Sequence, residues 1–148
     1  MDERSFRGER GASAVEFAIV ASLLFMILFG TIQFGIAFNQ YQGVQAAARE
    51  GARTGSLPQA TVDDIVTRVR DSVSIVDGSA IQVGCPGALA VGQGCVAITP
   101  TGSGAFQPCN LRTGQTVRVS VQYRALIQIP VWKSPAVTVT GDGEFRCE

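Results

Sequence analysis

The chain opens on a short polar stretch, residues 1–11 (MDERSFRGERG), in which Arg4, Arg7 and Arg10 are set against Asp2, Glu3 and Glu9. It then turns apolar: residues 12–38, ASAVEFAIVASLLFMILFGTIQFGIAF, carry a single charge, Glu16. At a rise of about 1.5 Å per residue such a run spans roughly 40 Å as a helix, enough to cross a hydrocarbon layer with some tilt. The first proline is Pro58, and the residues after the apolar run, NQYQGVQAAAREGARTG, are mostly strong helix formers. One long helix over 12–55 is therefore expected, in the membrane over about 12–38 and continuing beyond it. Small residues recur along it at every fourth position. Ala14, Ala18 and Ser22 form one stripe in the apolar half, and Gly43, Ala47, Gly51 and Gly55 form a second above it. Each would let another helix approach closely, and glycines inside a helix ask for such a reason.

Beyond residue 55 the pattern changes twice. LPQATVDDIVTRVRDSVSI offers Thr61 as an N-cap with Asp64 three residues on, then Val62, Ile65, Val66, Val69 and Val73 on one face at helical spacing. Asp63 and Asp64 read as complements of the helix dipole. The alternation then switches to period two at Ile81 and Val83, at Val96 and Ile98, along Val117, Val119, Val121 and Tyr123, and at Val137 and Val139. This predicts antiparallel strands with one wet face. The Gly-rich stretch between Gly84 and Gly104 reads as a long loop. Between the last two strand patterns, IPVWK (129–133) leaves Trp132 beside Lys133, with core, headgroup layer and neighbouring subunit all open as its surroundings.

Composition narrows the chemistry. The chain has 148 residues, with twelve Lys and Arg against twelve Asp and Glu, so there is no basic excess to mark a nucleic-acid partner. It contains no histidine, which removes the commonest general base and the commonest metal ligand. No catalytic residue, metal site or cofactor is indicated, nor a small-molecule substrate; Gly92-Gln93-Gly94 follows no clear strand and precedes no helix, as a phosphate loop would require. All four cysteines, Cys85, Cys95, Cys109 and Cys147, follow the apolar run and lack close zinc-type spacing, so they read as disulfides made in an oxidising compartment. Of the three possible pairings, Cys85 with Cys95 would close the Gly-rich loop, and Cys109 with Cys147 would tie the final strand to the start of the preceding one.

Glu16 is the residue that demands explanation, because a carboxylate inside an apolar span costs roughly 2.5–3.5 kcal/mol even on the mildest scale. A bland account lets it reach the nearby interface. A sharper one uses Gly11: a cut between Gly11 and Ala12 would place a new ammonium one helical turn from Glu16. At about 4 Å and an effective dielectric near 20, the attraction of roughly 4 kcal/mol matches the burial cost.

A polar leader ending in Gly, followed by a small residue and then Glu at the fifth position of the processed chain, resembles a type IV-class prepilin. The wider run RGERGASAVEFAIVASLLFMILFGTIQFG, followed by AAAREGAR, resembles the N-terminal region of TadE-like proteins, minor pseudopilins of the tight-adherence (Flp) pilus system. The VRVSVQY strand, a second strand and the closing FRCE are similar to that family's C-terminal end, while residues 56–112 carry no matching motif. Major Flp pilins usually carry Tyr where this chain has Phe17, and secretion pseudopilins usually begin GFTLxE where this chain has GASAVE.

The resemblance implies a leader (1–11) removed by a prepilin peptidase at Gly11–Ala12, with Glu16 and Phe17 serving subunit registration. It also implies partners among other pilins, pseudopilins and Tad assembly proteins. The resulting expectation is an α+β, pilin-like chain that is not an enzyme: a transmembrane helix bearing a small extracytoplasmic domain over 56–148, with membrane lipid as a further partner. Three arginines before the span place the N-terminus in the cytoplasm of a bacterium, by the positive-inside rule and the resemblance together. Two rivals remain. One is an uncleaved anchor carrying a binding or sensor domain. The other is a secretory signal cut near Gly35-Ile36-Ala37, although signal cores are shorter, at about 7–15 residues.

Overall fold

The computed structural model describes residues 5–73, 78–100, 109, 114, 116–127 and 135–147. Helix α1 runs unbroken over Ser5–Gly55, 51 residues and about 76 Å. It begins inside segment 1–11, ahead of the expected start at Ala12. Nothing in the sequence stops it earlier, because Gly8 and Gly11 weaken a helix without breaking it as proline would. It ends where Pro58 forbids continuation. Leu57, Pro58, Gln59 and Ala60 form a tight turn closed by the Ala60 N–H donating to the Leu57 carbonyl at 3.3 Å, with Gln59 at φ 69° in the place a type II turn reserves for glycine.

Helix α2, Val62–Ser72, starts as its sequence predicts. Thr61 caps it, and the Thr61 and Asp64 side chains satisfy each other's backbone N–H groups in a capping box. Ile65, Val66, Val69 and Val73 are buried, whereas Val62, expected on the same face, is 38 % exposed. A 3-10 turn, Gly78–Ala80, leads into a four-stranded sheet: β1 Ile81–Val83, β2 Gly94–Pro100, β3 Thr116–Leu126 and β4 Ala136–Arg146, lying side by side in chain order. The stretch IPVWK with Trp132 lies outside the described residues.

The sheet corrects one expectation. Strands β2, β3 and β4 pair antiparallel, but β1 runs parallel to β2, with Ile81 beside Gly94 and Val83 beside Val96. Period-two alternation is common to both kinds of pairing, so the pattern could not separate them. Parallel neighbours usually need a longer crossover. Here β1 is only three residues long, and the return over 84–93 turns at Gly84 (φ 82°) and Gly92 (φ 83°). The Gly84 N–H donates to the Val96 carbonyl at 2.8 Å, and Cys85 is bonded to Cys95. The sheet is therefore mixed, and the class α+β.

One face of the sheet packs on the upper half of α1, with α2 packed alongside against the same buried row of the helix. Val44, Ala47, Ala48 and Ala52 of α1, Ile65 and Val69 of α2, and Val117, Val119 and Val121 of β3 form a continuous buried cluster. β4 contributes no side chain at its two inward positions there. A Cβ on Gly141 would lie 2.6 Å from the Val44 carbonyl oxygen, and one on Gly143 would overlap the Ala48 carbonyl. Helix and strand thus meet backbone to backbone, which only glycine permits. The second disulfide, Cys109–Cys147, closes the far end, where Cys109 Sγ sits 3.2 Å from the Gly55 carbonyl.

Candidate functional site

The lower half of α1 is the feature that the rest of the fold does not use. From Val15 to Phe38 its large apolar side chains are exposed on every side, Phe17 at 74 % and Met26 at 71 %. A helix apolar all round is suited to a hydrocarbon solvent. Its most apolar window has a mean hydropathy of 2.3 and makes no buried contact with the domain. The polar groups within it are dealt with locally: Ser22 Oγ donates to the Ala18 carbonyl at 2.7 Å and Thr31 Oγ1 to the Ile27 carbonyl at 2.8 Å. Phe25 and Phe29 stand one turn apart with ring centroids at 6.4 Å, as do Phe34 and Phe38 at 6.2 Å, so aromatic bulk adds to the lipid-compatible surface. This helix fits a single-pass membrane anchor.

At its head, Gly11, Ala12, Glu16 and Phe17 all lie on the exposed helix. Ala12 and Glu16 share a face one turn apart, as the spacing requires. A Cβ on Gly11 would meet nothing within 4 Å beyond the helix's own backbone. The two stripes of small residues have separate fates. Ala14, Ala18 and Ser22 face outward, and no element of the chain covers them. Ala47, Gly51 and Gly55 are buried against the chain's own domain. A Cβ on Gly51 would overlap Val69, and one on Gly55 would come within 3.0 Å of Ile65 and Val117. Gly43 is half-buried. The helix that approaches the upper stripe is α2.

Several described polar groups of the domain tie its elements together. Arg68 of α2 reaches back to Glu50 of α1 through Nη2 at 2.7 Å and Nε at 3.0 Å, across an open groove also lined by Arg53, Asp64 and Asp71. Arg70 donates to the Ile81 carbonyl at 2.9 Å and so ties α2 to β1. The Thr61 hydroxyl, followed by the Thr61 N–H, donates to the Asp64 carboxylate and holds it below its ordinary value of 3.8. The sequence did not reveal Gly141 and Gly143 as contact residues. The only signal was two glycines with period-two spacing beside a strand pattern.

The two cysteine pairs are Cys85–Cys95 and Cys109–Cys147. Beside a bare apolar helix headed by a lone carboxylate and carrying a stapled domain stands one comparison: the family model described as TadE-like protein matches residues 11–53. Over that region the chain is similar to TadE-like proteins. The match begins at Gly11 and ends just before Gly55, so it covers the exposed half of α1 and most of the half that packs on the domain. No curated protein and no solved structure matches the chain.

Proposed function

We propose that the chain is a minor pseudopilin of the tight-adherence (Flp) pilus, serving assembly and through it adhesion and surface colonisation, with no catalytic activity of its own. The observation that carries this reading is the TadE-like match over a helix whose apolar half is left wholly exposed while its other half anchors a small domain. In this reading a prepilin peptidase removes residues 1–11, and the new Ala12 amine pairs with Glu16 in its own chain or in a neighbour. The pair keeps the carboxylate tolerable in lipid and sets subunit register. The helix crosses the cytoplasmic membrane with its N-terminus inside. The domain then folds outside, where its disulfides form.

Intact mass of the membrane form tests the processing step. Loss of residues 1–11 is expected, and Gly11→Val should leave the leader in place. Glu16→Ala should be cut normally but assemble poorly, so normal piliation in a Glu16→Ala strain would remove the pairing. The rival reading, an uncleaved anchor for an extracytoplasmic binding domain, is favoured by one observation: α1 passes through Gly11 without a break. A retained N-terminus in the native membrane form would decide for it.

A further inference from the structure

Gly55 lies against Val117 and Gly51 against Val119 on β3; on β4, Gly141 meets Val44 and Gly143 meets Ala48. Each stride of two strand residues, about 6.7 Å, matches four helix residues, about 6.0 Å, so strand and helix axes run nearly in line. Carrying the same stride downward sets Ala125 near the level of Asn39, Val139 near Gln40 and Val137 near Ile36. The open end of the β3–β4 hairpin, closed by the Ile127 N–H donating to the Pro135 carbonyl at 3.1 Å, therefore lies beside the last turns of the apolar segment. Gln33, Ala37 and Gln40, on the helix face that continues down from Val44, are already half-buried. At this end the domain is unexpectedly greasy on its outside: Leu126 is 44 %, Val137 42 % and Val91 50 % exposed, and Phe38 and Tyr41 of α1 are exposed as well.

The described residues of the hairpin end include no carboxylate. No Asp or Glu occurs between Asp77 and Asp142, whereas that stretch holds Arg112, Arg118, Arg124 and Lys133. The domain's described carboxylates sit on α2, at Glu50, or on the far half of β4 at Asp142 and Glu144. Arg124 lies at the hairpin end, its Nη1 donating to the Leu89 carbonyl at 2.6 Å, and Lys133 lies in the connection between Ile127 and Pro135. The described acids thus lie away from the anchor, while Arg124 is a described base at the hairpin end and Arg118 and Arg146 lie at the far end with Asp142 and Glu144.

We propose that the hairpin end is a second membrane contact, with Leu126 and Val137 resting in the headgroup layer of an anionic bilayer so that the domain is held against the surface rather than free above it. The inference rests on α1 being a membrane anchor. Apolar and aromatic residues favour that depth, and basic residues are drawn to anionic lipid. The full chain is reconstituted in phosphatidylcholine vesicles with and without phosphatidylglycerol, as single-tryptophan reporters in a Trp132→Phe background. The reporters are Leu126→Trp at the hairpin end, Leu57→Trp at the far end and Phe25→Trp in the anchor. Val137→Trp is the second hairpin reporter in case Leu126→Trp fails to fold.

With lipids brominated at shallow and deep positions, the Phe25 reporter should lose fluorescence to deep bromine, the Leu126 reporter to shallow bromine and the Leu57 reporter to neither. Quenching at Leu126 should strengthen with phosphatidylglycerol. Loss at Phe25 without loss at either hairpin reporter overturns the proposal and leaves the anchor standing; no loss at Phe25 overturns both. A hairpin reporter shielded from aqueous acrylamide but untouched by brominated lipid would assign the surface to a protein neighbour, and quenching indifferent to anionic lipid would overturn the role given to charge.

Discussion

The two halves of α1 are built from the same small and aliphatic residues and belong to one unbroken helix, yet they answer to different solvents. Between Val15 and Phe38 the large apolar side chains are exposed; between Val44 and Gly55 the row of Val44, Ala47, Ala48, Gly51, Ala52 and Gly55 is buried against α2 and the sheet. The lower half is large at most positions and small at Ala14, Ala18 and Ser22. Apart from Val44, the upper half is small wherever it is fully buried, and there the backbone of β4 comes into direct contact with it. Small residues therefore mean two things on this helix. Above they are filled by the chain's own domain, and below they remain available. The upper half needs tertiary contacts to be stable in water, whereas the lower half needs only its own hydrogen bonds in an apolar medium.

The contrast can be broken most forcefully at the disulfide that closes the domain over the top of α1. Loss of Cys109–Cys147, whose partners are 38 residues apart, should lower stability by about 4 kcal/mol on the chain-entropy account. Loss of Cys85–Cys95, with a separation of 10, should cost about 2.7 kcal/mol on the same account. Denaturant unfolding of paired Cys→Ser variants in detergent would read the order. If the shorter bridge matters more, the far end is not the closure described here.

Glycine contacts come next. Gly143→Ala pushes a methyl group into the Ala48 backbone and should destabilise the domain by roughly 3 kcal/mol. Gly30→Ala and Gly35→Ala, where a Cβ would meet nothing within 4 Å, should leave the domain's unfolding midpoint unchanged. Equal sensitivity in the two halves would erase the distinction.

The smallest effect sharpens it. Thr61→Ala removes the cap of α2, which covers Gly51 and Gly55, and should cost about 1 kcal/mol. The pH dependence follows from Asp64, whose folded value is lowered by hydrogen bonds from Thr61. Its contribution is complete above the ordinary value of 3.8 and is lost as pH falls through the lower folded value. Wild type should therefore lose in that acid window a stabilisation of which Thr61→Ala has already lost the larger, hydroxyl-dependent part. Parallel curves for the two proteins would show that the capping box contributes nothing.

Much of this was written in periodicity. The long helix, the Thr61–Asp64 start of α2, the buried row of Ile65, Val66 and Val69, and the alternating face of β3 follow from spacing, because each depends on residues close in sequence. The head of the helix was legible too, since a lone Glu16 in an apolar run stands out without any structure. The direction of β1 was not legible, because alternation has no polarity. Nor was the inward row of β4, where Gly141 and Gly143 leave no hydrophobic mark for a pattern to register. Val62 sat at the right helical spacing yet stays partly exposed, since it lies in the first turn, where α1 has already ended.

The sequence by itself determined which half of α1 can live in lipid and that a capped helix and alternating strands follow it, because local spacing and hydrophobicity fix those elements one at a time. Only the tertiary structure decided what the glycines of the upper stripe and of β4 are for. A residue without a side chain acquires its meaning from what approaches it: the side chains of α2 and β3 at Gly51 and Gly55, and at Gly141 and Gly143 a backbone nearly a hundred positions away.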